Sequence, residues 1–308
     1  MILAENVVKN FGKTVALRSF DLSVPAGSVA AVLGPNGAGK TTAVRILATL
    51  LRPDGGRAVV GGHDVVRDPA AVRRVIGLTG QYASADADLS GVENLVLVGR
   101  LLGLSRAAAK ARAVELLKRF GLTDSANRPS TTYSGGMRRR LDLAASLVGL
   151  PRVLYLDEPT TGLDPHARRE LWAEVRHLVA DGVTVLLTTQ YLEEADQLAD
   201  RITVLDGGSV VAEGTADELK RRTGGHTLQV RTTSLADMDT AAQIVRRITR
   251  STPLQDSDTG LLTAPVSDPA VLTAVIRELD RAGVTAAEVA LRLPSLDEVF
   301  LTLTGTSV

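Results

Sequence analysis

A glycine-rich segment that follows a short apolar run constrains this chain more than any other feature. Val29–Leu33 is apolar and uncharged, and Gly34-Pro-Asn-Gly-Ala-Gly-Lys-Thr41 follows it directly. Two glycines separated by four residues and followed by Lys and Thr have the spacing of a phosphate-binding loop. In such a loop the glycines let backbone N–H groups turn toward phosphate oxygens, and the helix that follows adds the positive end of its dipole. The spacing therefore predicts a nucleotide site at a strand–loop–helix junction.

Side chains suited to nucleotide hydrolysis occur in this loop and at the end of a second apolar strand. Lys40 can reach the β- and γ-phosphates, and the Thr41 hydroxyl can ligate Mg²⁺. Further along, Leu154-Tyr-Leu-Asp-Glu158 ends a predicted buried strand with two carboxylates. Successive strand side chains point in opposite directions, so the two acids can have different tasks. Asp157 is predicted to act on Mg²⁺, and Glu158 to orient or deprotonate the water that attacks the γ-phosphate.

The order of apolar runs and helical patterns predicts the architecture. Continuous apolar strands alternate with helices, which favours an α/β fold with a mostly parallel sheet covered on both faces. A helix-rich stretch at about 89–150 is predicted to be an α-helical subdomain inserted between two strands. We predict a nucleotide-binding domain over 1–222 and a small C-terminal α+β domain over 223–308. In the small domain, His226–Arg231 is a predicted strand and Thr240–Thr249 a predicted helix.

Composition excludes several other kinds of chemistry. The 35 basic and 35 acidic side chains give zero net charge, which provides no electrostatic reason to expect nucleic-acid binding. The absence of cysteine excludes disulfides, thiolate catalysis and Cys-ligated metals. The longest uncharged run, Leu22–Gly39, contains two prolines and four glycines, so it cannot be a continuous membrane helix. We expect a soluble, intracellular chain that reaches a membrane only through a partner.

A third motif lies between the phosphate loop and the acidic strand end. Tyr133-Ser-Gly-Gly-Met137 is similar to the signature of the ATP-binding-cassette (ABC) ATPases. Three further matches support the resemblance: Gln81 at the Q-loop position, Thr161-Gly-Leu-Asp164 after the Asp-Glu pair, and Phe11 where an aromatic ring commonly stacks on adenine. The motifs cover about residues 1–220 in the family's order. The chain is therefore identified by resemblance as a P-loop NTPase of the ABC ATPase family.

Longer stretches resemble one branch of that family. Thr132–Asp142, Leu187–Asp196 and Leu296–Leu301 are similar to the daunorubicin-resistance ATPases. The resemblance implies a separate subunit of an exporter that couples ATP hydrolysis to efflux of a drug or natural product. It also implies a separate integral-membrane permease as partner, contacted by the helical subdomain and by Tyr82–Leu89, and a location on the inner face of the cell membrane.

The resemblance further implies a set of site residues for ATP and Mg²⁺. Those expected to take part in catalysis are Glu158, Gln190, Gln81 and Lys40. Those expected to hold Mg²⁺ are Thr41, Gln81 and Asp157. Those expected to bind ATP are Phe11, Gly34, Pro35, Asn36, Gly37, Ala38, Gly39, Lys40, Thr41, Thr42, Ser134, Gly135, Gly136 and Asp164.

The signature implies a second subunit. Ser134, Gly135 and Gly136 precede a helix predicted to start near Arg138, and their N–H groups form a second anion site. By resemblance, this site contacts the γ-phosphate held in the phosphate loop of another subunit. Because the chain has one loop and one signature, two complete sites require a homodimer or a pair with a close paralogue.

Two positions depart from the usual family pattern. Gln190 stands where most ABC ATPases have histidine; an amide can donate a hydrogen bond to phosphate but cannot become cationic. Phe11 lacks the hydroxyl of the usual tyrosine, and a core phenylalanine remains an alternative interpretation of it. The run Arg138–Arg140 is interpreted as a solvated helix face or as salt-bridge partners, not as a nucleic-acid patch.

Other functions remain as alternatives to this interpretation of the sequence. The main one is a soluble ABC ATPase that acts on nucleic acid or ribosomes, although such proteins usually carry two cassettes or a long coiled-coil insertion. A metabolic P-loop kinase and an importer ATPase are less favoured. The C-terminal domain is open to three interpretations: dimer stabilisation, regulation or simple packing. The sequence indicates neither the transported compound nor a preference for ATP over GTP.

Overall fold

The structure is a computed structural model that describes residues 1–80, 85–222, 226–256, 259–266, 268–292, 296 and 299–300. Gln81, Tyr82 and three of the six residues of the Leu296–Leu301 motif lie outside the described residues. The chain divides into two compact units, Met1–Thr215 and Ala216–Val308. Within the described ranges no helix combines the length and apolar character that a bilayer crossing requires.

The first unit is built on a sheet whose ten described strands lie in the order β5-β4-β1-β2-β10-β9-β3-β8-β7-β6. Their bounds are β1 Ile2–Phe11, β2 Thr14–Val24, β3 Val29–Leu33, β4 Gly55–Val60, β5 His63–Asp64, β6 Ile76–Thr79, β7 Val153–Asp157, β8 Thr184–Thr189, β9 Arg201–Asp206 and β10 Ser209–Gly214. Strands β9, β3, β8, β7 and β6 run parallel. The pairs β1–β2, β1–β4, β4–β5 and β9–β10 are antiparallel.

The central parallel strands are apolar because they are buried on both faces. Every residue of Val29–Leu33, Val153–Asp157 and Thr184–Thr189 is buried. Pairing in register places Leu33 beside Thr189 and Asp157 beside Thr188, so the carboxyl ends of β3, β8 and β7 meet at one edge. The predicted mostly parallel core is confirmed. A tight turn at Gly207 and Gly208 joins β9 to β10.

Helices connect these strands. They are α1 Lys40–Leu47, α2 Pro69–Val75, α3 Gly91–Leu101, α4 Arg106–Arg119, α5 Gly135–Ser146, α6 Pro165–Ala180 and α7 Leu192–Leu198. Helices α3, α4 and α5 follow one another between the neighbouring strands β6 and β7. Ser90 starts α3 with a capping box to Glu93, which fixes where this helical insertion begins.

The second unit starts with α8 (Ala216–Arg222) and contains a four-stranded antiparallel sheet in the order β12-β13-β11-β14. The strands are β11 His226–Thr232, β12 Leu254–Asp256, β13 Leu261–Val266 and β14 Ala286–Arg292. Helices α9 (Met238–Thr249) and α10 (Val271–Arg281) share its apolar core, which includes Leu228, Val230, Val245, Val275 and Leu279.

Candidate active site

The glycine-rich loop packs closely against the backbone of β9 and of β2. A Cβ atom on Gly34 would lie 2.2 Å from the carbonyl oxygen of Leu205, and one on Gly39 would lie 2.5 Å from that of Ala16. Gly39 also has a φ of +108°, which L side chains rarely adopt. Both glycines are thus required by backbone packing, and the loop passes directly into α1 at Lys40.

Lys40 is buried at the start of α1, with 4% of its surface exposed. Its Nζ donates to the carbonyl oxygens of Gly34 at 2.7 Å and Pro35 at 3.1 Å. It also lies 3.4 Å from Glu158 Oε1. A buried ammonium is stable only with partners such as these, and a phosphate bound in the loop would compete for the same cation.

Asp157 joins the phosphate loop to the neighbouring strand β8. Thr41 Oγ1 donates to Asp157 Oδ1 at 3.2 Å, and Thr188 Oγ1 donates to the same oxygen at 2.5 Å. A hydroxyl and a carboxylate oxygen next to each other are hard oxygen ligands of the kind Mg²⁺ prefers. The residues present therefore fit a divalent cation at this point.

Glu158 follows β7 in an unusual backbone conformation. Its φ is +50°, in the left-handed region that costs a non-glycine residue about 1–3 kcal/mol. Its N–H donates to the carbonyl oxygen of Thr188 at 3.0 Å, and the Thr161 hydroxyl lies 3.5 Å from Oε2. This bend directs the carboxylate to Lys40 while Asp157 contacts Thr41. The two acids therefore lie beside different loop residues.

The signature serine caps a helix. Ser134 Oγ accepts a hydrogen bond from the N–H of Met137 at 3.2 Å, and α5 begins at Gly135. The predicted start near Arg138 is wrong, because the cap at Ser134 outweighs the low helix propensity of the two glycines. Ser134 and Gly135 are exposed. The N–H groups of Met137 and Arg138 bond to Ser134, and those of Gly135 and Gly136 have no partner within the helix.

Asp164 caps the next helix in the same way. Its Oδ1 accepts from the N–H groups of His166 and Ala167, both at 2.9 Å, and Pro165 occupies the first helical turn. These bonds, that from Ala167 above all, hold the pKa of Asp164 below its usual range. Proline suits this position because its missing N–H would have no partner within the helix. The cap fixes the loop from Thr161 to Asp164 against the start of α6.

Gln190 and Phe11 are both partly exposed. Gln190 is half-buried directly after β8, the strand whose Thr188 binds Asp157. Phe11 is 50% exposed at the end of β1, with Lys9 Nζ 5.6 Å from its ring centroid. The alternative of a core phenylalanine is therefore wrong, and the ring is available to a ligand.

Two further residues belong to this region but were missed in the sequence. Arg139 does not lie on a solvated face: its guanidinium donates to the carbonyl oxygens of Gly80, Asp157, Glu158 and Pro159. Glu194 is fully buried, and its Oε1 accepts from Trp172 Nε1 at 3.3 Å. Burial raises the pKa of Glu194, although Thr189, Trp172, Thr160 and Arg139 oppose this. A charged residue on the apolar face of α7 is the one signal that could have identified Glu194.

A phosphate loop, two acids at the adjoining strand end and a capped signature helix together define an ABC-type ATPase. A family model described as "ABC transporter" matches residues 17–161. A second, "ATP-binding protein DrrA1-3-like, C-terminal domain", matches residues 214–304. The chain belongs to the ABC transporter ATP-binding proteins, in the family of the daunorubicin/doxorubicin resistance ATPases, and is an ATP-hydrolysing enzyme.

Curated relatives cover nearly the whole chain. It is 57% identical to daunorubicin resistance ATP-binding protein DrrA3 of Streptomyces coeruleorubidus, over 99% of this chain and 96% of the relative. It is 53% identical to daunorubicin/doxorubicin resistance ATP-binding protein DrrA of Streptomyces peucetius, over 99% and 92%. These relatives match the exporter interpretation of the sequence and not the nucleic-acid alternative.

A solved structure supports the same assignment for the first unit. The chain is 27% identical to a dimeric ATP-binding cassette in a post-hydrolysis state bound to ADP and Pi, with a TM-score of 0.64. The match covers 70% of this chain and 98% of that one.

Proposed function

We propose that this chain is the ATP-hydrolysing subunit of an exporter that removes a drug or natural product through a separate membrane permease. The names of the relatives, which describe resistance to daunorubicin and doxorubicin, support the substrate class. The permease anchors the chain at the inner face of the cell membrane.

The observation that carries the catalytic part of the proposal is the cluster at the carboxyl ends of β3 and β7. Lys40 binds the β- and γ-phosphates, and Glu158, 3.4 Å from it, orients or deprotonates the attacking water. Thr41 and Asp157, which lie 3.2 Å apart, would hold Mg²⁺, and the ion would neutralise charge on the phosphates. Gln81, outside the described residues, is proposed to assist at the metal and the water.

The remaining site residues bind the rest of the nucleotide. The exposed ring of Phe11 stacks on adenine, and the Gln190 amide donates to the γ-phosphate. The N–H groups of Ser134, Gly135 and Gly136, at the start of α5, bind the γ-phosphate held by a second subunit. Two copies, or one copy and a close paralogue, then enclose two nucleotides, and hydrolysis releases the contact between them.

Co-expression with the permease tests the proposal. The chain is expressed in drug-sensitive bacteria with the membrane protein of the neighbouring reading frame, and doxorubicin accumulation is followed by its fluorescence. We expect lower accumulation with both proteins than with either alone, and no reduction when Glu158→Gln replaces the wild-type chain. Equal accumulation in all strains, with both proteins present in the membrane fraction, would contradict export of this drug class.

A further inference from the structure

The first two of three consecutive arginines near the start of α5 have different environments. Arg138 is exposed, whereas the next residue, Arg139, is turned inward. Arg139 Nε donates to the Pro159 carbonyl at 2.7 Å and Nη1 to that of Gly80 at 2.8 Å. Its Nη2 donates to the carbonyls of Glu158 at 3.1 Å and Asp157 at 3.3 Å. A single side chain thus contacts four backbone carbonyls on two segments.

The planar guanidinium suits this task. It carries five N–H donors in a fixed fork, so it can serve acceptors that lie in several directions. A lysine ammonium carries the same charge at one nitrogen and cannot span the same set. Burial lowers the pKa of Arg139, and Asp142, Glu194 and Asp157 oppose that shift; an arginine in this setting keeps its charge.

Arg139 contacts the backbone on both sides of Glu158, whose own backbone conformation is strained. Glu158 has a φ of +50°, and such a conformation persists only where its surroundings fix it. Thr188 binds the N–H of Glu158. Arg139 binds the carbonyl oxygens on both sides, those of Asp157 and Glu158. The two peptide groups that flank Glu158 and orient its carboxylate are therefore hydrogen-bonded to Thr188 on β8 and to Arg139 on α5.

The same guanidinium reaches a second functional segment. Gly80, which accepts from Nη1, immediately precedes Gln81. Arg139 lies in the second turn of α5, the helix that Ser134 caps. One side chain therefore links the signature helix to the start of the segment at Gln81 and to the backbone of Glu158.

We propose that Arg139 is a positioning residue: it holds Glu158 in its left-handed conformation and ties the signature helix to the hydrolytic site of the same subunit. This proposal rests on the proposed role of Glu158 in hydrolysis. When the nucleotide of a partner subunit binds at the N-terminus of α5, a shift of this helix changes the position of Glu158, because Arg139 on α5 is hydrogen-bonded to the Glu158 backbone. Arg139 acts on catalysis through Glu158 and does not itself touch the nucleotide.

A charge-conserving pair of variants tests the proposal in the full-length chain. Arg139→Lys keeps the positive charge but loses the planar set of N–H donors that reaches several carbonyls. Arg138→Lys, at the exposed neighbouring residue, is the matched control. We expect Arg139→Lys to lower kcat on the order of 10–100-fold, as misplacement of a reacting group does. The dissociation constant for ATP changes by less than about twofold, because the phosphate loop is unaltered. Arg138→Lys keeps wild-type kcat.

A double-mutant cycle separates positioning from a purely structural role. If Arg139 acts through Glu158, the effect of Arg139→Lys on single-turnover hydrolysis nearly disappears in a Glu158→Gln background. An equal loss in both backgrounds overturns the proposal, as does wild-type kcat for Arg139→Lys. Loss of ATP affinity together with a lower midpoint of thermal unfolding likewise overturns it, in favour of a folding role. Full activity of Glu158→Gln itself would instead overturn the proposed function of the site.

Discussion

Lys40 Nζ lies 3.4 Å from Glu158 Oε1, and both side chains are almost entirely buried. The cation belongs to the phosphate loop and the carboxylate to the strand end β7, so the pair joins the two motifs that the sequence separates by more than a hundred residues. The residues that bind phosphate and those that activate water are thereby brought to one point.

Lys40→Ala should abolish most nucleotide binding. Truncating one partner of a buried charge pair costs about 2–5 kcal/mol, so the dissociation constant for ATP should rise on the order of 30-fold or more. Titration with a fluorescent ATP analogue measures this, and Lys110→Ala, at an exposed position of α4, is the control. Unchanged affinity in a folded Lys40→Ala chain would refute the phosphate contact.

Glu158→Gln should bind ATP but hydrolyse it on the order of 10²–10⁴-fold more slowly, because the carboxylate that activates water is lost. Trapped ATP then favours the dimer, which gel filtration with and without ATP detects as a shift in size. Glu115→Gln, at a 62% exposed side chain, should behave as wild type. Rapid hydrolysis by Glu158→Gln would exclude this glutamate as the base.

Gln190→Ala should lower steady-state ATP hydrolysis, whereas Gln190→His should keep or raise it. Both glutamine and histidine can donate to the γ-phosphate, but only histidine can add a positive charge. Gln197→Ala, at an exposed position of α7, serves as the control. An unchanged rate for Gln190→Ala would rule out a phosphate role.

Phe11→Ala should weaken ATP binding by about 1–3 kcal/mol, the range found for a base stacked on an aromatic ring. Phe11→Tyr should retain the affinity, since stacking needs only the ring. Because the ring is 50% exposed, the midpoint of thermal unfolding without nucleotide should change little in either variant. Wild-type affinity of Phe11→Ala, measured by calorimetry, would place adenine elsewhere.

Glu194→Gln should flatten the pH dependence of stability. Burial raises the native pKa of Glu194 above its ordinary value of 4.5, so above that pH the unfolded chain releases a proton that the native chain retains. Wild-type stability therefore falls as pH rises from 4.5 toward the native pKa, by at most about 1.4 kcal/mol per pH unit. Because glutamine does not ionise, the stability of Glu194→Gln does not fall for this reason as pH rises.

Urea unfolding at several pH values measures the effect, followed by the fluorescence of Trp172, the one tryptophan of the chain. The stability of Glu194→Gln relative to wild type should increase with pH. Glu193→Gln, its exposed neighbour, should show the wild-type slope. A constant difference between Glu194→Gln and wild type across pH would show that Glu194 is already ionised in the native chain.

The sequence was sufficient for features that depend on local pattern. The central strands were predictable because burial on both faces requires continuous apolar runs, and the Asp164 cap because its oxygen needs only nearby N–H groups. The phosphate loop was predictable because Gly34 and Gly39 meet backbone that no side chain could accommodate.

Features that depend on tertiary packing were not predictable. The direction of a long arginine side chain is set by what packs beside its helix, so Arg139 could not be distinguished from Arg138. The left-handed backbone of Glu158 arises from bonds to Thr188 and Arg139, which lie far away in sequence. The sequence predicts too late a start for α5, because Gly135 and Gly136 have low helix propensity. The helix begins at Gly135, since Ser134 caps it there.

The close fit of Gly34 against Leu205 and of Gly39 against Ala16 also limits how this site can be redesigned. An engineer who wished to change the accepted nucleotide would leave those two positions alone, because any added carbon collides with main-chain oxygen. Substitutions are better tolerated at residue 11 and at Asn36, which are exposed and have no positive φ, whereas Gly37, with a φ of +82°, is restricted like Gly39.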